Sequence, residues 1–190
     1  MNRSEEEMEN IIAVAVDESI VKPHEIAVVT EHRPGFLPRA TLVQKDGYKA
    51  LLYSSEGLSP LASYGERGGD AALAGLFELL TGYIRCLIAA RNMLLDTRLL
   101  SSDPEAGVFA FRESKGSVAV KAVWGADPLT EDGEKICRIA QSLSRRERVM
   151  GAKITMERTI ELVRSENLSL SACLKAVESM CREWNHIVEV

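Results

Sequence analysis

No two cysteines of this chain stand at CxxC spacing and no loop is dense in them, because Cys86, Cys137, Cys173 and Cys181 all fall in stretches that read as helices. That argues against a disulfide framework and for free thiols in a reducing compartment. The three histidines, His24, His32 and His186, neither pair at helical spacing nor adjoin a cysteine cluster, so the spacing that marks a zinc site is missing. No serine lies in a GxSxG elbow, and Ser101-Ser102 has no evident histidine partner. Neither the P-loop pattern with its lysine nor a GxGxxG turn occurs. A surplus of basic charge is lacking too: the formal net charge is −5 and the pI is near 5.4. This disfavours a nucleic-acid binder that works through a positive field. The first nine residues are polar and acidic, unlike a secretion signal, and the expected compartment is the cytoplasm. The longest apolar stretch, Leu73–Leu95, is interrupted by Glu78, Arg85 and Arg91 and reads as a core helix and not as a membrane span. Internal repeats and low-complexity tracts are absent from the sequence.

What is present fits one domain of 190 residues, long enough to bury a core without staples. Short β-branched runs at Ile11–Val16 and Glu25–Thr30 read as strands, with Lys22-Pro23-His24 as a turn between them. Glu31–Pro38 carries two prolines and a glycine and reads as a connector. Arg39–Gln44 and Tyr48–Ser54 flank Lys45-Asp46-Gly47, where Asp-Gly supplies the positive φ angles of a tight hairpin. Gly57–Tyr64 reads as a brief helix capped by Ser59 with Pro60 in its first turn. Val108–Arg112 and Ser117–Val123 make a second hairpin around Lys115-Gly116.

The rest is helical by pattern. Leu73–Leu95 is apolar around most of its circumference, which requires burial on several sides. Leu129, Ile136, Ile139, Ala140 and Leu143 recur at helical spacing, and Gly151 ends or bends that helix. Ile154, Ile160, Leu162 and Val163 mark a further helix, and Leu170, Cys173, Leu174, Val177, Met180, Cys181 and Trp184 form the clearest apolar stripe. The expected fold class is α+β, with N-terminal antiparallel strands and a hairpin packed on a helical C-terminal part. The organisation is one domain over 1–190: β-rich 10–56, a helical core 70–95, a hairpin 107–123 and helices over 129–187.

Between the long helix and Val108 the segment Asp96–Gly107 forms a corner of the kind that carries catalytic groups in many enzymes, and here it reads as empty of them. Gly65-Glu66-Arg67-Gly68-Gly69 precedes a helix, yet without phosphate-loop spacing it reads as a connector. Arg145, Arg146 and Arg148, followed by Lys153, form the one basic cluster, able to dock an acidic peptide, anionic lipid or phosphate, or to serve as a solvated helix face. Trp184 is either core or the cap of a partner interface. These four residues, Arg145, Arg146, Arg148 and Trp184, are the candidate interaction residues. No catalytic residue, cofactor or metal ligand is expected.

The string Arg39–Tyr53, then Leu58 and Leu61, the long helix, Leu94-Leu95-Asp96 through Leu99-Leu100, and Gly107–Phe111 resembles the uncharacterised domain that precedes forkhead-associated (FHA) domains in many Gram-positive bacterial proteins. The resemblance covers about residues 20–180. More remotely the layout is similar to the EssB/YukC pseudokinase-like domain of type VII secretion, so it implies a degenerate kinase-like core. Matching Leu99-Leu100 to the apolar pair after the catalytic-loop asparagine puts Arg98 at that asparagine, Met93 at the catalytic aspartate and Arg91-Asn92 at the His-Arg pair. Phe111-Arg112-Glu113 then stands near the metal motif, and Lys49 is the one counterpart of an ATP lysine. Phosphoryl transfer needs acids and metal to position and neutralise phosphate, so the resemblance implies a binding scaffold.

The expected function is a non-catalytic intracellular interaction domain in bacterial signalling or secretion-associated assembly. It has a protein partner, no nucleic-acid partner and no membrane span. Two alternatives stand beside it: a nucleotide-binding protein or enzyme with a site around Lys49, Gly65–Gly69 and Asp103 or Glu105, and a helical module that forms homo-oligomers through the Leu170–Trp184 stripe.

Overall fold

The structure is a computed structural model that describes residues 10–64, 73–114, 117–127, 129–145, 151–166 and 168–188, the side chains of 73, 74, 166 and 184–188 aside. Strand β1 (Ile11–Ala15) leads into a one-turn helix α1 (Pro23–Ala27) that widens into a π turn over Val28–His32. Strands β2 (Arg39–Lys45) and β3 (Tyr48–Ser54) form a hairpin closed by Asp46 and Gly47, whose φ angles of 50° and 83° are those of the expected tight turn. These strands make an antiparallel sheet in the order β1-β3-β2. A second antiparallel sheet, β4-β5-β6, combines the short β4 (Ser59–Pro60) with the hairpin β5 (Val108–Arg112) and β6 (Val118–Ala122). Helices α2 (Leu73–Asn92), α3 (Asp132–Ser144), α4 (Ala152–Glu166) and α5 (Leu170–Val188) supply the helical part. The fold is α+β, with strands first and helices after.

Three local expectations are corrected. Glu25–Thr30 is helical, because Pro23 sits in the first turn with its φ already set, and Glu25 reaches back to the Lys22 amide in a capping arrangement. Gly57–Tyr64 is no helix: Pro60 and Ser59 add an edge strand beside Phe109 and Ala110. Pro is tolerated there because an edge strand leaves one side of its backbone unpaired. The chain also does not become helical at Leu129, which has a φ of 30°; α3 begins only at Asp132.

Helix α2 is the buried spine. Leu76, Phe77, Leu80, Tyr83, Ile84, Leu87 and Ala90 are buried on one face, and Leu79, Thr81 and Cys86 extend the burial to more than half of the circumference, leaving Glu78 and Arg85 exposed. It lies directly on β6, where the Cys86 thiol donates to the Val120 carbonyl at 3.2 Å. A Cβ at Gly82 would fall 2.7 Å from Val120 Cγ2, so the missing side chain permits that approach. Helix α5 packs on α2, with Arg85 2.9 Å from Glu178 across that seam, and its Leu170, Cys173 and Val177 are buried. One core cluster runs from Val14 to Val177.

Candidate functional site

The corner after α2 is built of closely bonded polar side chains. A single turn of 3₁₀ helix (Thr97–Leu99) follows Asp96, whose carboxylate caps it by accepting from the Arg98 amide at 3.0 Å. Arg98 Nη2 lies 2.8 Å from the same carboxylate, and this hydrogen bond is the main reason the Asp96 pKa is lowered. Leu100 then bridges to Trp124, and the Ser101 amide donates to Val123 at 2.7 Å. The two serines that follow are thereby pinned inside the molecule.

Ser102 is fully buried, and both its amide and its hydroxyl donate to Asp127 Oδ2, at 3.1 and 2.7 Å. Lys135 meets the same oxygen at 3.0 Å and also donates to the Leu100 carbonyl. Its side chain is 0% exposed, which decides its electrostatics: loss of water lowers its pKa, and the bond to Asp127 opposes that by favouring the ammonium form. Arg138 Nη1 completes the cluster, donating to Ser102 Oγ at 2.9 Å. Tyr83 adds a hydrogen bond of 2.9 Å from its hydroxyl to the Ser101 carbonyl, and burial raises its pKa well above the usual range.

A second buried carboxylate serves the same corner from the other side. Glu25, 2% exposed, accepts from the Lys22 amide at 2.8 Å and from the Asp96 amide at 2.7 Å. Trp124, fully buried, donates from its indole to the Asp96 carbonyl at 3.1 Å, and its own carbonyl accepts from Tyr53 at 2.8 Å.

Chemically, this is a set of staples. A Ser–Lys nucleophile needs the amine against the serine oxygen, with that oxygen open to substrate. Here the Lys135 amine faces Asp127 and Leu100, Ser102 Oγ is occupied by Asp127 and Arg138, and none of Ser102 is exposed. No group of three or more His, Cys, Asp or Glu side chains able to hold a metal ion occurs among the described residues.

The residues singled out from sequence do not gather around this corner. Arg145 is exposed at the end of α3; Arg146 and Arg148 lie outside the described residues, and so does the side chain of Trp184. Lys49 is paired with Glu18. Asp103 caps its own loop, accepting from the Glu105 amide at 2.8 Å, and Glu105 is exposed. The Gly65–Gly69 connector lies outside the described residues. The four cysteines are free, as expected, with Cys86, Cys137 and Cys173 buried. Phe111 and Arg112 belong to strand β5.

Sequence reasoning missed Glu25, Ser102, Asp127, Lys135 and Arg138. One signal was legible: Lys135 stands four positions before Ile139 and eight before Leu143, on the apolar stripe of α3. A lysine there must be buried with a partner or snorkel out. Compared with protein-family models, with curated proteins and with solved structures, the chain matches none. No helix among the described residues is long and apolar enough to cross a membrane.

Proposed function

We propose that this chain is a non-catalytic interaction domain of the kind that precedes FHA modules, acting in the bacterial cytoplasm in signalling or secretion-associated assembly. Its partner is a protein and not a nucleic acid. The observation that carries this reading is the corner itself: Glu25, Asp127, Lys135 and Ser102 are buried and bonded to backbone groups or to one another. Groups so engaged fix a loop and offer a substrate nothing. The apolar stripe of α5 supports a scaffold more than a self-associating module, since its Leu170, Cys173 and Val177 are already buried within the chain.

Thermal unfolding with ATP and GTP, each with and without magnesium, tests the reading. A nucleotide at 100 times its dissociation constant stabilises by about 2.7 kcal/mol. The expected result is an unchanged midpoint at millimolar nucleotide; a clear rise overturns the non-catalytic reading in favour of a nucleotide site. Affinity capture from a bacterial lysate is expected to yield a stoichiometric protein partner, and recovery of nucleic acid in its place overturns the partner class.

A further inference from the structure

The β1-β3-β2 sheet has two faces of opposite character. Register places Val14, Leu51 and Tyr53 on one of them, all buried, with Tyr53 reaching Trp124, while Leu42, 38% exposed, and Gln44 open the β2 edge of that face. The alternate positions form the other face. One cross-strand row is Ala13, Leu52 and Thr41, and the next is Ala15, Ala50 and Val43. Ile11 is 48% exposed, Val43 40% and Tyr48 81%, so solvent reaches this face along its length. Its three small residues, Ala13, Ala15 and Ala50, let another element approach closely beside Leu52.

Charge on this face has one sign. Its charged positions are Arg39 and Lys45, at the two ends of β2, and neither is paired with a carboxylate among the described residues. None of the three strands places an acid on the face, although the chain as a whole carries a net charge of −5. Three strands by five paired rows give a patch of roughly 14 by 17 Å. That is roughly 240 Å², against the ~800 Å² per partner of a standard interface between globular proteins. A second copy laid face to face is therefore undersized, and it would bring Arg39 and Lys45 against their own counterparts. A single helix, about 10–12 Å across, fits the width.

We propose that the outward face of the β1-β3-β2 sheet docks one amphipathic helix of a partner protein, with an apolar side on the Ala13–Leu52–Thr41 and Ala15–Ala50–Val43 rows and acidic residues near both ends facing Arg39 and Lys45. This rests on the interaction reading above and names its surface and partner chemistry. Arg39 and Lys45 are six positions apart on β2, roughly 20 Å along a strand. A helix covers that distance in about 14 residues, and positions about 14 apart lie close to one flank, as two partners on the same strand require, which sets the spacing of the partner's acids.

The test is selection from a phage-displayed library of amphipathic helices about 18 residues long, with leucine fixed on one side and the other positions random. The chain as it stands is the bait. Enriched sequences are expected to carry Asp or Glu about 14 positions apart, on one flank of the helix. Their affinity is expected to fall at least tenfold for Val43→Asp and for the Arg39→Glu/Lys45→Glu pair, both at exposed positions where the far-UV spectrum and melting midpoint stay unchanged. No enrichment, enriched sequences without the paired acids, or affinities that neither variant changes each overturn the proposal. Sedimentation with phosphatidylserine vesicles covers the other anionic surface: binding that the charge-reversed pair abolishes assigns the face to lipid and also overturns it. Lysate capture separates the two levels. A partner retained equally by wild type and Val43→Asp sinks this surface and leaves the interaction reading standing, whereas no partner for either sinks the reading itself.

Discussion

Replacing Lys135 by methionine keeps the length of the side chain and removes the ammonium group that neutralises Asp127 in the interior. Breaking a buried pair on one side costs about 3–5 kcal/mol, because the remaining charge is left without compensation. Arg138, with Nη1 3.7 Å from the same carboxylate, recovers part of that and sets the lower end of the range as the expectation. Urea unfolding is expected to show Lys135→Met/Asp127→Asn losing less than Lys135→Met alone; equal losses would mean that Asp127 was not the reason for the lysine. The thiols give a second measurement at this scale. Burial pushes Cys86 up to about 12, whereas an unfolded thiol ionises near 9. Between those values the unfolded chain has lost a proton that the folded chain keeps, so stability is full below pH 9 and falls as pH rises through that window. Cys86→Ala is expected to flatten the decline between pH 9 and 10 by up to about 1.4 kcal/mol per pH unit. An unaltered slope would show that Cys86 ionises in the fold as it does in the unfolded chain.

Elements were legible from the sequence where local geometry and burial pull the same way. Asp46-Gly47 named its own turn, and the β2–β3 hairpin followed within one residue; α2 followed from apolar residues around most of its circumference. Ile26, Val28 and Val29 misled, because β-branched residues favour a strand only when there is a sheet to join, and here the Pro23 start and the Glu25 carboxylate hold a helix. The corner was illegible for another reason. Ser102, Asp127 and Lys135 lie 25 and 8 positions apart in succession, with no motif spacing, and meet only because the β5–β6 hairpin folds the chain back on itself. That fold-back has a steric condition at its base. A Cβ at Gly107 would lie 2.7 Å from the Ser101 Cβ and collide with its hydroxyl. Gly107→Ala is expected to cost about 1–3 kcal/mol through overpacking. The loss is expected to shrink in a Ser101→Gly background, where both colliding atoms are gone, and to persist in Ser101→Ala, where the Cβ remains. Losses that are the same in all three backgrounds would show that Gly107 matters for its backbone freedom and not for this contact.

At the scale of the whole molecule, Trp124 ties the N-terminal sheet to the corner after α2. Tyr53 of β3 donates to the Trp124 carbonyl, the Trp124 indole donates to the Asp96 carbonyl, and the Asp96 amide donates to Glu25 of α1. Two elements from the first third of the chain therefore hold the corner that α2, β5 and β6 build. Melting the sheet exposes Trp124, and losing the corner frees the sheet. Unfolding is accordingly expected to be one transition. In a Trp184→Phe background Trp124 is the sole indole of the chain, so its emission reports the junction while far-UV dichroism reports the helices, and the two midpoints are expected to coincide. Glu25→Gln sets an amide NH₂ against one of two backbone N–H groups, at a cost of about 1–3 kcal/mol. At this chain length that lowers a melting midpoint by roughly 2–4 °C per kcal/mol. Both signals are expected to move together by that amount. If Trp124 emission shifts at lower temperature than the helical signal, in the variant or in its parent, the strands and helices unfold separately and the junction is a contact between independent parts. Coincidence would make the buried Glu25 as important to the helical part as to the strands on either side of it in the chain.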